Sequence, residues 1–186
     1  MHELPTERLV LRGWKESDRE PFAELGADPE VMRHFPAAPS REQSDAAVDR
    51  WQAGLDERGW GVWAVEGPGG VFAGAVGLAP LRFEAHFAPG VEILWRLARS
   101  AWGRGYATEA ASAVLGFAAV HLGPGTPYGL EEVVSFTVPA NRRSRAVMER
   151  IGMVHDTGGG FDHPGLPEGH PLRRHVLYRV PLAGRG

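Results

Sequence analysis

Residues 99–110 read Arg99-Ser100-Ala101-Trp102-Gly103-Arg104-Gly105-Tyr106-Ala107-Thr108-Glu109-Ala110. They join an apolar run, Val91 to Leu97, to a helical stretch, Ala107 to His121. Gly103 and Gly105 remove the Cβ atoms that would hold an anion away from the backbone, and the N–H groups freed at a helix start point outward with the positive end of the helix dipole. The junction has the form of a pyrophosphate cradle; the bland alternative is a turn that needs glycine only for backbone shape or close packing. Neither widespread phosphate loop fits. The segment lacks the Lys-Ser/Thr ending of a nucleotide triphosphatase loop, and its spacing is not G-x-G-x-x-G.

Outward from this junction, Leu9 to Trp14 alternates as a first strand, and Ser17 or Asp18 caps a helix to about Gly26. Asp28-Pro29 opens a short helix that ends near Phe35-Pro36. Ser40-Arg41-Glu42-Gln43 is a capping box ahead of a helix carrying Ala47, Val48, Trp51 and Leu55. Gly61 to Val65 and Val71 to Leu81 read as a hairpin about the turn Gly67-Pro68-Gly69-Gly70. After the helix that Gly123-Pro124-Gly125 stops, Val133 to Val138 is a strand. Pro139 and Asn141 then open a helix through Ile151, which Gly152 ends. The tail holds Met153 to Asp156, a Gly/Pro/His-rich loop and a last strand, His175 to Val180. Alternation of this kind implies an α/β (α+β) fold with a mixed sheet flanked by helices, and excludes a bundle or a sandwich.

The chain has 186 residues, 43% hydrophobic and 23% charged, which suits one well-filled domain over residues 1–186. A net charge of -3 argues against general nucleic-acid binding. No apolar stretch approaches the roughly 20 residues of a membrane span, and the opening Met1 to Arg8 lacks a signal-peptide apolar run, so the expected compartment is the cytoplasm. The absence of cysteine excludes disulfides, cysteine nucleophiles and thiolate metal sites. Trp51, Trp60, Trp63 and Phe83/Phe87 can supply an apolar face for a homodimer, or can equally be core.

Trp102-Gly103-Arg104-Gly105-Tyr106-Ala107 resembles the Gln/Arg-x-x-Gly-x-Gly/Ala motif of the GNAT superfamily of acyl-CoA-dependent N-acyltransferases, matching at Gly105 and Ala107. Trp102 departs from it. The string Trp102 to Ala110 is similar to the branch with the ribosomal-protein N-terminal (RimJ/RimL-type) acetyltransferases, as is Asn141-Arg142-Arg143-Ser144 followed by Ile151-Gly152-Met153. Glu92-Ile93-Leu94-Trp95-Arg96-Leu97 stands where the family has its splayed strand, and Thr6 to Arg12 extends the resemblance over nearly the whole chain. The resemblance implies a GNAT-like, mostly antiparallel sheet of about seven strands with a splayed centre. It also implies acetyl-CoA as co-substrate and a primary amine as acceptor, either a small molecule or a protein N-terminus.

Acyl transfer needs a held thioester, a neutral amine, stabilisation of the oxyanion and protonation of the departing thiolate. Amides from Gly103 to Thr108 are the candidate pyrophosphate donors, with Trp102, Tyr106, Ala107 and the Thr108 hydroxyl in the same set; Arg104 adds charge or is simply solvated. The resemblance assigns the pantetheine contacts to the backbone of Trp95, Arg96 and Leu97, with the Leu97 N–H facing the acyl oxygen, while Ile93, Trp95 and Leu97 also read as one core-facing strand edge. Asn141 is an N-cap by position and a pantetheine contact by resemblance. By resemblance Ser144 takes the place of the general acid; its other reading is a first-turn surface serine. Glu92 is either the general base or the salt-bridge partner of Arg96, which lies on the same strand face.

Two other readings remain. One is a non-catalytic acyl-CoA binding module. The other is a divalent-metal protein using Asp162, His163, His170 and His175, although these show no compact i, i+4 ligand spacing, and no metal ligand is assigned. The tail from Phe161 to His175 can instead wall the acceptor pocket.

Overall fold

The computed structural model describes residues 3–184. Met1 and His2 of the opening segment, and both limits of the expected 1–186 domain, lie outside the described residues. Strands Leu4–Pro5 (β1) and Val10–Arg12 (β2) are followed by helices Arg19–Ala27 (α1) and Arg41–Arg58 (α2). Next come strands Val62–Glu66 (β3), Phe72–Pro80 (β4) and Val91–Leu97 (β5), and helix Tyr106–His121 (α3). Strand Glu132–Thr137 (β6), helix Arg142–Arg150 (α4) and strands Val154–Asp162 (β7) and Arg174–Pro181 (β8) complete the order.

Among the described residues the eight strands are hydrogen-bonded in the order β1-β2-β3-β4-β5-β6-β8-β7. The β1–β2, β2–β3, β3–β4, β6–β8 and β7–β8 pairs are antiparallel, and β5–β6 is parallel. The β5–β6 register holds only at Glu92↔Val134, which is the splayed centre. The strand beyond the expected seven is the two-residue β1, too short to show a period in the sequence.

The chain forms two compact units. One runs to Leu78 and takes up Leu94–Ala113; the other takes Ala79–Ile93 and continues from Val114. In the first, the Trp14 ring lies 5.2 Å from that of Phe22 and 5.4 Å from that of Trp51, and its Nε1 donates to the Val62 carbonyl at 2.9 Å. Ser40 and Gln43 close the expected capping box at the start of α2. Asp18 precedes α1 without capping it, because its carboxylate is taken in bidentate fashion by Arg12 at 2.7 and 3.0 Å. Gly74 is required by close approach: at φ +141 an added Cβ would stand 2.3 Å from the Arg96 carbonyl oxygen on β5. Trp60 and Trp63 are 4% and 0% exposed, so of the two readings of that tryptophan set these residues take the core one.

The second unit is built round Phe87, Val134, Phe161 and Leu177, with Leu81, Phe83, Ala85 and Phe136 packed against them. Its hairpin differs from the expectation. β7 does not stop at Asp156 but runs through three glycines to Asp162, re-pairing at Phe161↔His175 and Asp162↔Arg174 beyond an irregularity. Glycine disfavours strand locally, and pairing with β8 together with burial of Phe161 overrides that preference.

Candidate active site

The glycine turn sits at the end of β5 and is tied down on both sides. Trp102 donates its Nε1 to the Leu97 carbonyl at 2.9 Å, and Ala98 N donates to the Ala73 carbonyl at 2.9 Å. Trp102 therefore fastens the turn to the strand it follows. Gly103 and Gly105 have φ of +74 and +79, a left-handed backbone that only glycine adopts cheaply, and a Cβ on Gly103 would meet nothing within 4 Å. The first backbone N–H of α3 to find an acceptor is that of Glu109, which donates to Gly105 O at 3.0 Å. None of the amides of residues 103–108 donates to a protein group among the described residues. Open space, a left-handed turn and consecutive unspent donors at a helix start fit a pyrophosphate.

The side chains divide differently from the backbone. Tyr106 is buried with the Arg8 guanidinium 5.1 Å over its ring, so what it offers the cradle is its N–H. Arg104 is exposed; its carbonyl accepts from Arg8 Nη1 at 2.9 Å. Ala107 and Thr108 are half-buried in the first turn.

A second layer escaped the sequence reading. Glu109 accepts from the Thr6 hydroxyl at 2.6 Å, from Arg8 N at 2.8 Å and from Arg8 Nε at 2.7 Å. Burial raises the Glu109 pKa, but these hydrogen bonds and the Arg8 charge outweigh it and hold the carboxyl below its usual range. Thr6, Arg8 and Glu109 thus staple the segment before β2 to the cradle. Their residue types were visible as Thr6-Glu7-Arg8 and Thr108-Glu109-Ala110, but nothing in either string says that they meet.

In the first unit the structure brings together Trp95, Arg96 and Leu97 with Trp102 to Thr108; Glu92, Asn141 and Ser144 belong to the second unit. Asn141 caps α4, its Oδ1 accepting from Ser144 N at 3.3 Å, and its Nδ2 donates to the Thr137 hydroxyl at 3.0 Å. The amide is held from both ends, which fixes the start of α4. Ser144 is half-buried and its hydroxyl has no hydrogen-bond partner among the described residues. Glu92 is paired through its backbone to Val134, and burial alone pushes its carboxyl up to about 7. Desolvation likewise lowers the Arg96 pKa. Among the described residues no ion pair joins Glu92 to Arg96, which was the alternative reading of Glu92.

A family model described as the acetyltransferase (GNAT) domain matches residues 8–154. The chain is 33% identical over 159 residues to the uncharacterized protein YkkB of Bacillus subtilis, covering 81% of this chain and 84% of that protein. It is 32% identical over 159 residues to the FsC-acetyl coenzyme A-N(2)-transacetylase of Aspergillus fumigatus, covering 82% of this chain and 65% of that one. Among solved structures, an acetyltransferase from Agrobacterium tumefaciens is similar with a TM-score of 0.72 at 28% identity, covering 97% of this chain and 94% of that chain. A cradle of backbone amides following a splayed strand is what a thioester carrying a pyrophosphate requires, and the chain belongs to the family that uses one: it is a GNAT acetyltransferase, acting from acetyl-CoA on an amine.

Proposed function

We propose that the chain transfers acetyl directly from acetyl-CoA to a primary amine in a ternary complex, on a small molecule or a protein N-terminus. The observation that carries this reading is the row of unspent amides at residues 103–108 on a left-handed turn. Direct transfer follows from the absence of cysteine, which leaves no thiol to carry the acetyl group between two half-reactions. The cofactor supplies an activated acetyl group as a thioester, and the residues handle position and protons.

The amides of 103–108 hold the pyrophosphate, and the backbone of Trp95, Arg96 and Leu97 carries the pantetheine arm, with the Leu97 N–H on the acyl oxygen. Glu92 takes a proton from the acceptor's ammonium, so that the amine's lone pair can attack the carbonyl carbon. A carboxyl near 7 suits that task at neutral pH, being half in the basic form while retaining affinity for a proton. As the C–S bond breaks, the Ser144 hydroxyl gives its proton to the sulfur and recovers one from the nitrogen that attack has made cationic. Asn141 orients the first turn of α4 that bears Ser144. The Glu92 environment favours a catalyst over a binding module, since a module gains nothing from a buried, unpaired carboxyl.

Among the described residues no helix is long and apolar enough to cross a membrane. Together with a substrate drawn from the acetyl-CoA pool, this supports a cytoplasmic site of action. Isothermal titration with acetyl-CoA, followed by free-thiol release across a panel of amines, tests the proposal. Binding in the micromolar to low millimolar range and amine-dependent thiol release are expected; absence of binding would end the reading.

A further inference from the structure

Arg96 carries a charge that no carboxylate among the described residues neutralises. Its Cζ lies 4.5 Å from the ring centroid of Phe35 and 6.0 Å from that of Phe22, both supplied by the helical segment between β2 and β3. Its Nε is buried without a hydrogen-bond partner, and no carboxylate among the described residues pairs with it. Arg12, the buried arginine of the same unit, is by contrast held by Asp18 and Glu66.

The two rings offset part of the cost of burying the cation, because a guanidinium is attracted to a π face. They leave the Nε hydrogen bond unmade. The N–H groups of a guanidinium project in its own plane, and a face contact supplies no acceptor there. Stacking on Phe35 and Phe22 also restrains a side chain that would otherwise be mobile, so the fork is set in advance for a planar acceptor group. A carboxylate, with two oxygens in one plane, matches that fork in bidentate fashion. Phe35 is 37% exposed, so the stacked guanidinium stands at an edge that solutes can reach.

We infer that Arg96 binds a carboxylate of the amine acceptor, and that the acceptor class is amino acids or short peptides with a free carboxylate, in preference to polyamines or amino sugars. The inference rests on the acetyltransferase reading above and narrows its acceptor. The cofactor's pyrophosphate already has the amides of 103–108 as donors, whereas the Arg96 side chain alternates onto the same face of β5 as that of Glu92. An unpaired cation of this kind repels a polycationic acceptor and retains one that brings a negative charge.

The test uses the CoA-loaded protein and matched product pairs: N-acetyl derivatives of the twenty amino acids against their C-terminal amides, titrated calorimetrically. Thiol release with the corresponding free amino acids, their amides and spermidine is measured alongside. At least one N-acetyl amino acid is expected to bind tenfold or more tightly than its amide. Arg96→Met, which keeps the length and the contact with both rings, should abolish that preference, and Arg96→Lys should retain part of it. Acetyl-CoA affinity is measured in both variants alongside, and near-UV dichroism checks that each is folded. Equal binding of acids and amides by the native chain, or an undiminished preference in Arg96→Met, overturns the inference. So does a tenfold loss of acetyl-CoA affinity in Arg96→Met, which would place Arg96 on the cofactor's phosphates. A native chain that does not bind acetyl-CoA overturns the acetyltransferase reading itself, a result distinct from acetyl-CoA binding without carboxylate preference.

Discussion

At Glu92 burial pushes the carboxyl from 4.5 up to about 7, which sets both the pH range in which it can accept a proton and a stability cost. The folded protein holds this proton more tightly than the unfolded chain does. The associated stability is therefore complete below the unfolded value and is lost as pH rises through about 7. By linkage the loss reaches about 3 kcal/mol. Thermal melts from pH 5 to 8 should accordingly fall more steeply for the native chain than for Glu92→Gln, which has nothing to ionise at that position. Activity runs the other way: kcat/KM should rise with pH through about 7, and Glu92→Gln should lose that limb along with about a hundredfold in rate. If Ser144 is the proton donor proposed above, Ser144→Ala is expected to lower kcat by about a hundredfold while the acetyl-CoA Kd stays nearly constant, since its hydroxyl has no hydrogen-bond partner among the described residues. A full rate in either variant removes that residue's role. The types and spacing of Glu92, Asn141 and Ser144 were legible in the sequence. That Glu92 stands unpaired was not, because burial depends on what other elements bring to it.

The strand–turn–helix element owes its shape to local chemistry and its rigidity to a distant segment. Two left-handed glycines make the turn, and Trp102 closes it on Leu97 within five residues. The staple through Glu109 reaches back 101 residues to Arg8. Glu109→Ala removes hydrogen bonds to a cation and to a hydroxyl, together worth about 1.5–3 kcal/mol, and frees the first turn of α3. The KM for acetyl-CoA should rise about tenfold with a smaller change in kcat, as expected for a positioning residue. An unchanged KM would mean that the turn holds its shape unaided. Local signals were equally legible at α2, where Ser40 and Gln43 form the expected capping box. They failed at β7, where three glycines conceal a strand that exists because β8 is there to pair with it.

At the scale of the whole molecule, stability leans on a few buried polar contacts that the apolar pattern does not reveal. The Arg12 and Asp18 side chains are 7% and 3% exposed and pair with each other. Asp18→Ala leaves the guanidinium with Glu66 and the Gly13 carbonyl and should cost about 3–5 kcal/mol, lowering Tm by roughly 10 °C. A melt within two degrees of the native one would show that Glu66 suffices. The resemblance of its motifs to a family implied acetyl-CoA, while the sequence by itself determined most of the element order, the glycine turn and the absence of cysteine. These follow from periodicity, turn residues and composition, all of which act over a few neighbouring positions. Only the tertiary structure decided which charges are paired. It gave Arg8 to Glu109 and Arg12 to Asp18, and among the described residues it left Glu92 and Arg96 without an ion-pair partner. Desolvation and ion pairing depend on residues brought together from distant parts of the chain, and no local pattern records them.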